Sequence, residues 1–298
     1  MSAGVAALRR AQATAVVSDY IALTKPGIIF LLELITFAAM VVAAHGWPGF
    51  SVVFWTMTAG ALASGGAGAV NCWYDRDIDA SMARTRRRPL PDGRIAPAAA
   101  LWFGILLGAV AVLELAFMVN LLAATMCLSG YLAYVLLYTM YLKRNTVQNI
   151  VVGGVAGAIP PLVGWAAVTG RLDLTALFMF ALVFYWTPPH FWSLALLVQS
   201  DYRRADVPML PAVAGAEETR RQILLWTVLL VAVSVLPFVA GSFGLVYLAA
   251  ALLLGGLFVV LAVRASRLRT SRSARQVFYY SLVYLAAIFV VMVVVSTA

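Results

Sequence analysis

Long apolar runs alternate with short polar stretches along the whole chain. Nine runs of helix-spanning length can be drawn, roughly 27–45, 49–71, 98–117, 119–141, 149–168, 174–197, 222–241, 244–264 and 277–296. At ~1.5 Å per residue each is long enough to cross ~30 Å of hydrocarbon. None alternates with the period of two expected of a barrel strand, and lipid leaves only helices or closed barrels as spanning elements. The pattern predicts an all-α polytopic membrane protein of nine transmembrane helices. Residues 1–26 read as a cytoplasmic N-terminal segment and 27–298 as a single transmembrane domain.

Composition agrees. Of 298 residues, 63% are hydrophobic and 11% charged, and mean hydropathy is +0.94. A soluble domain of this length has too little interior for so much apolar surface, so lipid is the solvent. The net charge of +9 follows membrane topology rather than a nucleic-acid footprint, and no nucleic-acid partner is expected. With nine spans, every Lys and Arg except Arg171 falls on one face. The positive-inside rule makes that face cytoplasmic, with the N-terminus inside and the C-terminus outside. No long apolar core precedes Lys25, so no cleavable signal peptide is predicted, and the short N-terminus favours a bacterial inner membrane. Cys72 and Cys127 lack metal-type spacing and read as packing residues.

The two faces differ in their loops. The outer connections are tight, "HGWPG", "MVN", "TGRLD" and "GSFG", whereas the inner loops after the second and sixth spans are long and polar. Long loops carry function, which puts the chemistry at the cytoplasmic mouth. Asn71, Asp75 and Asp79 recur at i, i+4 and i+8, one face of a helix continued past the second span. Stacked carboxylates repel unless a cation sits among them, and hard oxygen donors suit Mg²⁺. Asp77 falls on another face, where Arg76 is its expected partner. Arg84, Arg86, Arg87 and Arg88 follow, and guanidinium forks grip phosphate oxygens. Carboxylates beside arginines describe a Mg²⁺–diphosphate site, although such arginines also suit anionic lipid headgroups.

Asp201, Arg203, Arg204 and Asp206 repeat this mixture after the sixth span, and Lys143 and Arg144 close the fourth. The latter pair reads equally as diphosphate contacts or as membrane anchors. His190 lies within the sixth span beside Pro188 and Pro189, where a kink is expected, and is a candidate for a planar substrate or a satisfied interior histidine. Glu33 and Glu114 have no assigned role. His45 reads as a loop residue. Gly65, Gly66, Gly68, Gly153, Gly154 and Gly157 read as close-packing stripes.

"NCWYDRDIDASMARTRRRPLP" resembles the first aspartate-rich motif of the UbiA-type intramembrane prenyltransferases. "LKRNTVQNIVVGGVAGAIPPLVGWAAVTG", "TPPHFWSLAL" and "DYRRADVPMLP" are similar, more narrowly, to its haem O synthase branch. The resemblance implies nine helices around a central cavity. It implies Mg²⁺-dependent farnesyl transfer from farnesyl diphosphate to the 2-vinyl group of haem B, followed by water addition. Asn71, Asp75, Asp79 and Asp201 are then the catalytic and metal-binding candidates. Arg84, Arg88, Lys143, Arg144, His190 and Tyr202 are the substrate-binding candidates. Many superfamily members carry two aspartates four apart in the second motif. Here Ala205 holds that place and Asp206 follows it, often a glycine in this branch, which puts a metal role for Asp206 in doubt. The partners implied are membrane lipids and a haem A synthase or terminal oxidase assembly. The rival readings are prenylation of a quinone-type ring, a transporter or haem carrier, and a structural assembly subunit.

Overall fold

The computed structural model describes residues 3–297, with side chains from residue 14 onward, so Arg9 and Arg10 lie outside the described side chains. Every regular element among the described residues is helical. α1 (Ala3–Thr24) leads into α2 (Pro26–Ala44) and α3 (Phe50–Tyr74), which is followed by the short α4 (Arg76–Ser81) and by α5 (Pro97–Met118). α6 (Leu121–Asn145), α7 (Asn149–Thr169) and α8 (Leu174–Leu197) come next. Two short helices, α9 (Gln199–Arg204) and α10 (Leu210–Val213), precede α11 (Gly215–Val239), α12 (Leu245–Leu268) and α13 (Ser271–Thr297). Nine of these, α2, α3, α5 to α8 and α11 to α13, are long and apolar enough to cross a membrane.

The nine spans therefore stand where the hydropathy pattern puts them, with two kinds of difference. Ala3–Thr24, in the segment read only as N-terminal to the spans, forms a helix of its own. Helices also overrun the apolar windows at the charged end: α11 begins at Gly215, α13 at Ser271, and α12 continues to Leu268. An apolar window stops at its first arginine, but main-chain hydrogen bonding does not. α8 stays helical through Pro188 and Pro189, with the Thr187 hydroxyl bonding the Val183 carbonyl at 2.8 Å in the preceding turn.

Glycine decides the closest helix approach. A Cβ on Gly66 of α3 would stand 2.6 Å from the Gly104 carbonyl oxygen of α5, and one on Gly104 would stand 2.7 Å from the Gly66 carbonyl. The two backbones touch, as small-residue contacts allow in lipid. Gly154 similarly faces Thr187 of α8. Gly157, expected in the same stripe, faces open space. The largest apolar core gathers residues of α2, α7, α8, α11, α12 and α13 and includes Tyr247, Phe258, Tyr284 and Phe289, all buried. Cys72 and Cys127 are free and buried, as packing residues.

This contrast makes one substitution act in opposite senses. By helix propensity alone, Gly→Ala stabilises by ~1 kcal/mol. Gly157→Ala should therefore leave the melting temperature of purified protein unchanged or raised. Gly66→Ala should lower it, through overpacking of about 1–3 kcal/mol against a backbone that has no side chain to move aside. Thermal unfolding of the two variants in one detergent checks this.

Candidate active site

At its charged end α3 passes through Asp75 into α4, and the Asp79 N–H bonds the Asp75 carbonyl at 2.8 Å across the junction. The near-continuous helix keeps Asn71, Asp75 and Asp79 on its inner face, each at most 3% exposed. Asp77 falls on the outer face, with its side chain 61% exposed. The i, i+4, i+8 spacing thus turns three polar groups inward at the end of an apolar bundle.

Buried charges need partners, and four cations supply them. Lys25 Nζ donates to Asn71 Oδ1 at 2.5 Å. Asn71 Nδ2 donates to Asp75 Oδ2 at 2.8 Å and to Thr139 Oγ1 at 3.0 Å. Lys143 Nζ meets the same Asp75 Oδ2 at 2.5 Å. Arg144 Nη2 stands 3.6 Å from Asp75 Oδ1 and 2.7 Å from Asp77, and its face lies 4.6 Å from the Tyr74 ring centroid. Arg88 Nη1 donates to Asp79 Oδ2 at 2.7 Å. The expected Arg76–Asp77 pair is not made. Arg144 forks both Asp77 oxygens and holds that carboxyl down at about 2, while Arg76 bonds the Trp73 carbonyl.

Asp201 belongs to this cluster from the other side. Its two carboxylate oxygens accept from the main-chain N–H groups of Ala83 and Arg84 at 3.3 and 3.4 Å. It therefore ties the loop after α4 to α9. The side chain of Arg84 is exposed, while Tyr202 is buried beside Asp201, and burial pushes its phenol upward. Asp206 stays outside the cluster, exposed and at φ 51°. Its N–H bonds Arg203 O, and the next N–H, of Val207, bonds Tyr202 O. This is the left-handed position closing a helix C-terminus, where glycine fits best. The doubt over a metal role is thus given a local cause.

His190 lies apart from the carboxylates, two turns inside α8. Its ring stacks between Trp186 and Phe278, with centroids 4.3 and 4.9 Å away, and its Nδ1 lies 2.7 Å from Ser281 Oγ. The Ser281 hydroxyl already donates to the Phe278 carbonyl at 2.6 Å. With that proton so placed, Ser281 Oγ can accept from His190 Nδ1–H, the neutral tautomer whose lone pair is on Nε2. Glu114 accepts a hydrogen bond from Thr58, and Glu33 lies against Gly60, about three turns along α3 from Asn71.

Three participants escaped the sequence reading. Lys25 was an anchor by position, yet it sits at φ 57° between α1 and α2 with its ammonium in the cluster. Its signal was a lone cation directly before Pro26. Thr139 and Ser281 carry no signal in the sequence. Thr139 arrives through a π-helical stretch, Ala133–Leu142, whose wider turns alter which side chains face α3.

The donor set can be weighed against a metal. Asn71, Asp75 and Asp79 offer hard oxygens, and Asp75 Oδ1 is buried without a hydrogen-bond partner. Among the described residues no three His, Cys, Asp or Glu side chains converge into a ready ligand cage. Ammonium and guanidinium groups instead interleave the carboxylates. The oxygens fit a Mg²⁺ that keeps most of its waters and shares its shell with a phosphate ligand.

The profile of the UbiA prenyltransferase family matches residues 33–291. The chain belongs to the UbiA prenyltransferase family. It is 53% identical over 285 residues to a protein named protoheme IX farnesyltransferase from Symbiobacterium thermophilum, covering 95% of both chains. It is 52% identical to the protein of the same name from Roseiflexus sp., covering 93% of this chain but 52% of that relative, about half its length. The fold is also that of a solved digeranylgeranylglyceryl phosphate synthase, with TM-score 0.78 at 16% identity over 94% of this chain and 98% of the other. A UbiA homolog from Archaeoglobus fulgidus bound to GPP and Mg²⁺ matches with TM-score 0.68 at 15% identity, over 92% and 99%. The family and the helix count establish an integral, multi-pass membrane protein.

Two variants separate the aspartates of α9 and its cap. Asp201→Ala frees the Ala83 and Arg84 N–H groups and should loosen a loop carrying Arg84, Arg86 and Arg87. Limited trypsin digestion should cut there several-fold faster than in the parent. Asp206→Gly relieves a left-handed aspartate and should raise the melting temperature, by ~1 kcal/mol or less of added stability.

Proposed function

We propose that the protein transfers a farnesyl group from farnesyl diphosphate to the 2-vinyl group of haem B, giving haem O. One observation carries the chemistry: Asp75, 1% exposed, has one oxygen held by Lys143 and Asn71 and the other without a hydrogen bond, within a cluster of four cations. Such a cluster is matched to a ligand bearing several negative charges. The acceptor is taken from the relatives named protoheme IX farnesyltransferase, and the fold's use for prenyl diphosphates from the GPP-bound homolog.

Mg²⁺ held by Asn71, Asp75 and Asp79, with Asp201 as a further donor, would supply Lewis-acid stabilisation of the departing diphosphate. The protein's own part follows from its pairs. When a diphosphate enters, Lys143, Arg144 and Arg88 can turn from carboxylates, and Lys25 from the Asn71 amide oxygen, to phosphate oxygens. The carboxylates so released would be compensated by the divalent ion, and the cations then face charge that grows as the bond breaks. The C1–O bond of farnesyl diphosphate breaks with its electron pair leaving on the diphosphate. The vinyl π pair of haem forms the new carbon–carbon bond. Water adds to the cation left beside the ring and loses a proton, giving a hydroxyethylfarnesyl substituent. The apolar interior keeps other water from the allylic cation. His190 is the group we assign to haem, in the tautomer that carries its lone pair on Nε2. The charged end is placed at the cytoplasmic side of a bacterial inner membrane, and a haem A synthase or a terminal oxidase assembly receives the product.

Purified protein with haem B, farnesyl diphosphate and Mg²⁺ should yield farnesylated, hydrated haem by mass spectrometry. Asp75→Asn should lower the rate roughly 100-fold or more, the usual effect of losing one charge-stabilising group. A folded wild type that makes no haem product but prenylates a quinone-type ring would overturn the acceptor assignment. Activity unchanged in Asp75→Asn would overturn the site. Haem B titrated into wild type should shift its Soret band, and His190→Ala should abolish that shift while farnesyl diphosphate binding persists.

A further inference from the structure

A groove lies away from this site, between α12 and α13 at their charged ends. It measures about 800 Å³ and is open along its length. Arg272, Arg275 and Gln276 lie at one end, Tyr279 in the middle, and Val283 beyond it, with Leu261 of α12 on the opposite wall. Arg272 and Val283 are eleven residues apart, about 16 Å along the helix. The lining grades from cationic through aromatic to aliphatic over roughly half the thickness of a bilayer's hydrocarbon.

The arginines carry the inference. Both are exposed, and no ion pair or hydrogen bond engages their side chains among the described residues, whereas Arg269 nearby is paired with Glu217. Arg272 also occupies the first turn of α13, where the helix dipole disfavours a cation. A local anion would offset both costs. Tyr280 donates its hydroxyl to the Leu254 carbonyl at 2.8 Å, fixing the groove floor.

We propose that this groove is a retained binding site for an anionic phospholipid. Arg272 and Arg275 take the headgroup phosphate, Tyr279 sits at the interface, and an acyl chain follows Leu261 and Val283. Neither element belongs to the carboxylate cluster, so the site is separate from the proposed chemistry. A soluble phosphate would use the cationic end and leave the aliphatic end unexplained. A phospholipid matches both ends and their spacing.

Native mass spectrometry tests this with full-length protein extracted from vesicles of phosphatidylcholine containing one-fifth phosphatidylglycerol. Wild type should keep one phosphatidylglycerol through delipidation. In Arg272→Gln/Arg275→Gln its apparent affinity should fall roughly 30-fold, as expected for losing two interfacial cations. Arg264→Gln/Arg267→Gln removes equal charge from the neighbouring α12, where both side chains are exposed and outside the groove lining, and should keep the lipid. Equal retention by both double variants, or equal loss from both, would show only diffuse attraction and overturn the site. Displacement of the lipid by micromolar inorganic phosphate or by farnesyl diphosphate would also overturn it, assigning the groove to a free anion or to substrate capture.

Discussion

A carboxylate carried to the end of an apolar helix and then buried must be matched by opposite charge, and much of the polar architecture here answers that requirement. Asp75 is 1% exposed. Lys143 and Arg144 reach it from α6, while Lys25, at the start of α2, reaches its neighbour Asn71. Breaking one member of a buried pair typically costs several kcal/mol, far more than a surface pair is worth. The cluster therefore welds three otherwise oily helices at one end, and its members are placed by each other's charge.

The same demand is met within the chain, where protein cations compensate the carboxylates. In the function proposed above, a diphosphate with a divalent ion would let both sets of charges trade partners without any becoming unpaired. Asp201 adds a mechanical element, since its bonds to Ala83 and Arg84 couple the loop after α4 to α9. The two polar loops of the sequence are thus parts of one assembly.

Away from the charged end, the bundle depends on contacts that lipid cannot drive by the hydrophobic effect. Gly66 and Gly104 bring α3 and α5 to backbone contact, and dispersion over that surface replaces the missing solvent term. This scaffold persists at 15–16% identity in solved relatives, whereas identity of about half links the chain to the protoheme IX farnesyltransferases. Helix packing tolerates exchange of one apolar residue for another, so the fold can outlast most of the sequence.

Nine spans, their rough limits and the inward face of Asn71, Asp75 and Asp79 were legible in the chain alone, because span length and the 3.6-residue turn are local properties. The aspartate-rich motif was legible too, since its residues are contiguous. The partners were not. Asp77 looks to Arg76 in sequence but finds Arg144 sixty-seven residues away, and Asp206, whose metal role the sequence put in doubt, sits at a helix end. Lys25 entered the cluster through a left-handed turn, and Thr139 through a π-helical stretch. Pairing between charges depends on which helices become neighbours and how each is rotated, and those are set by packing across the whole bundle.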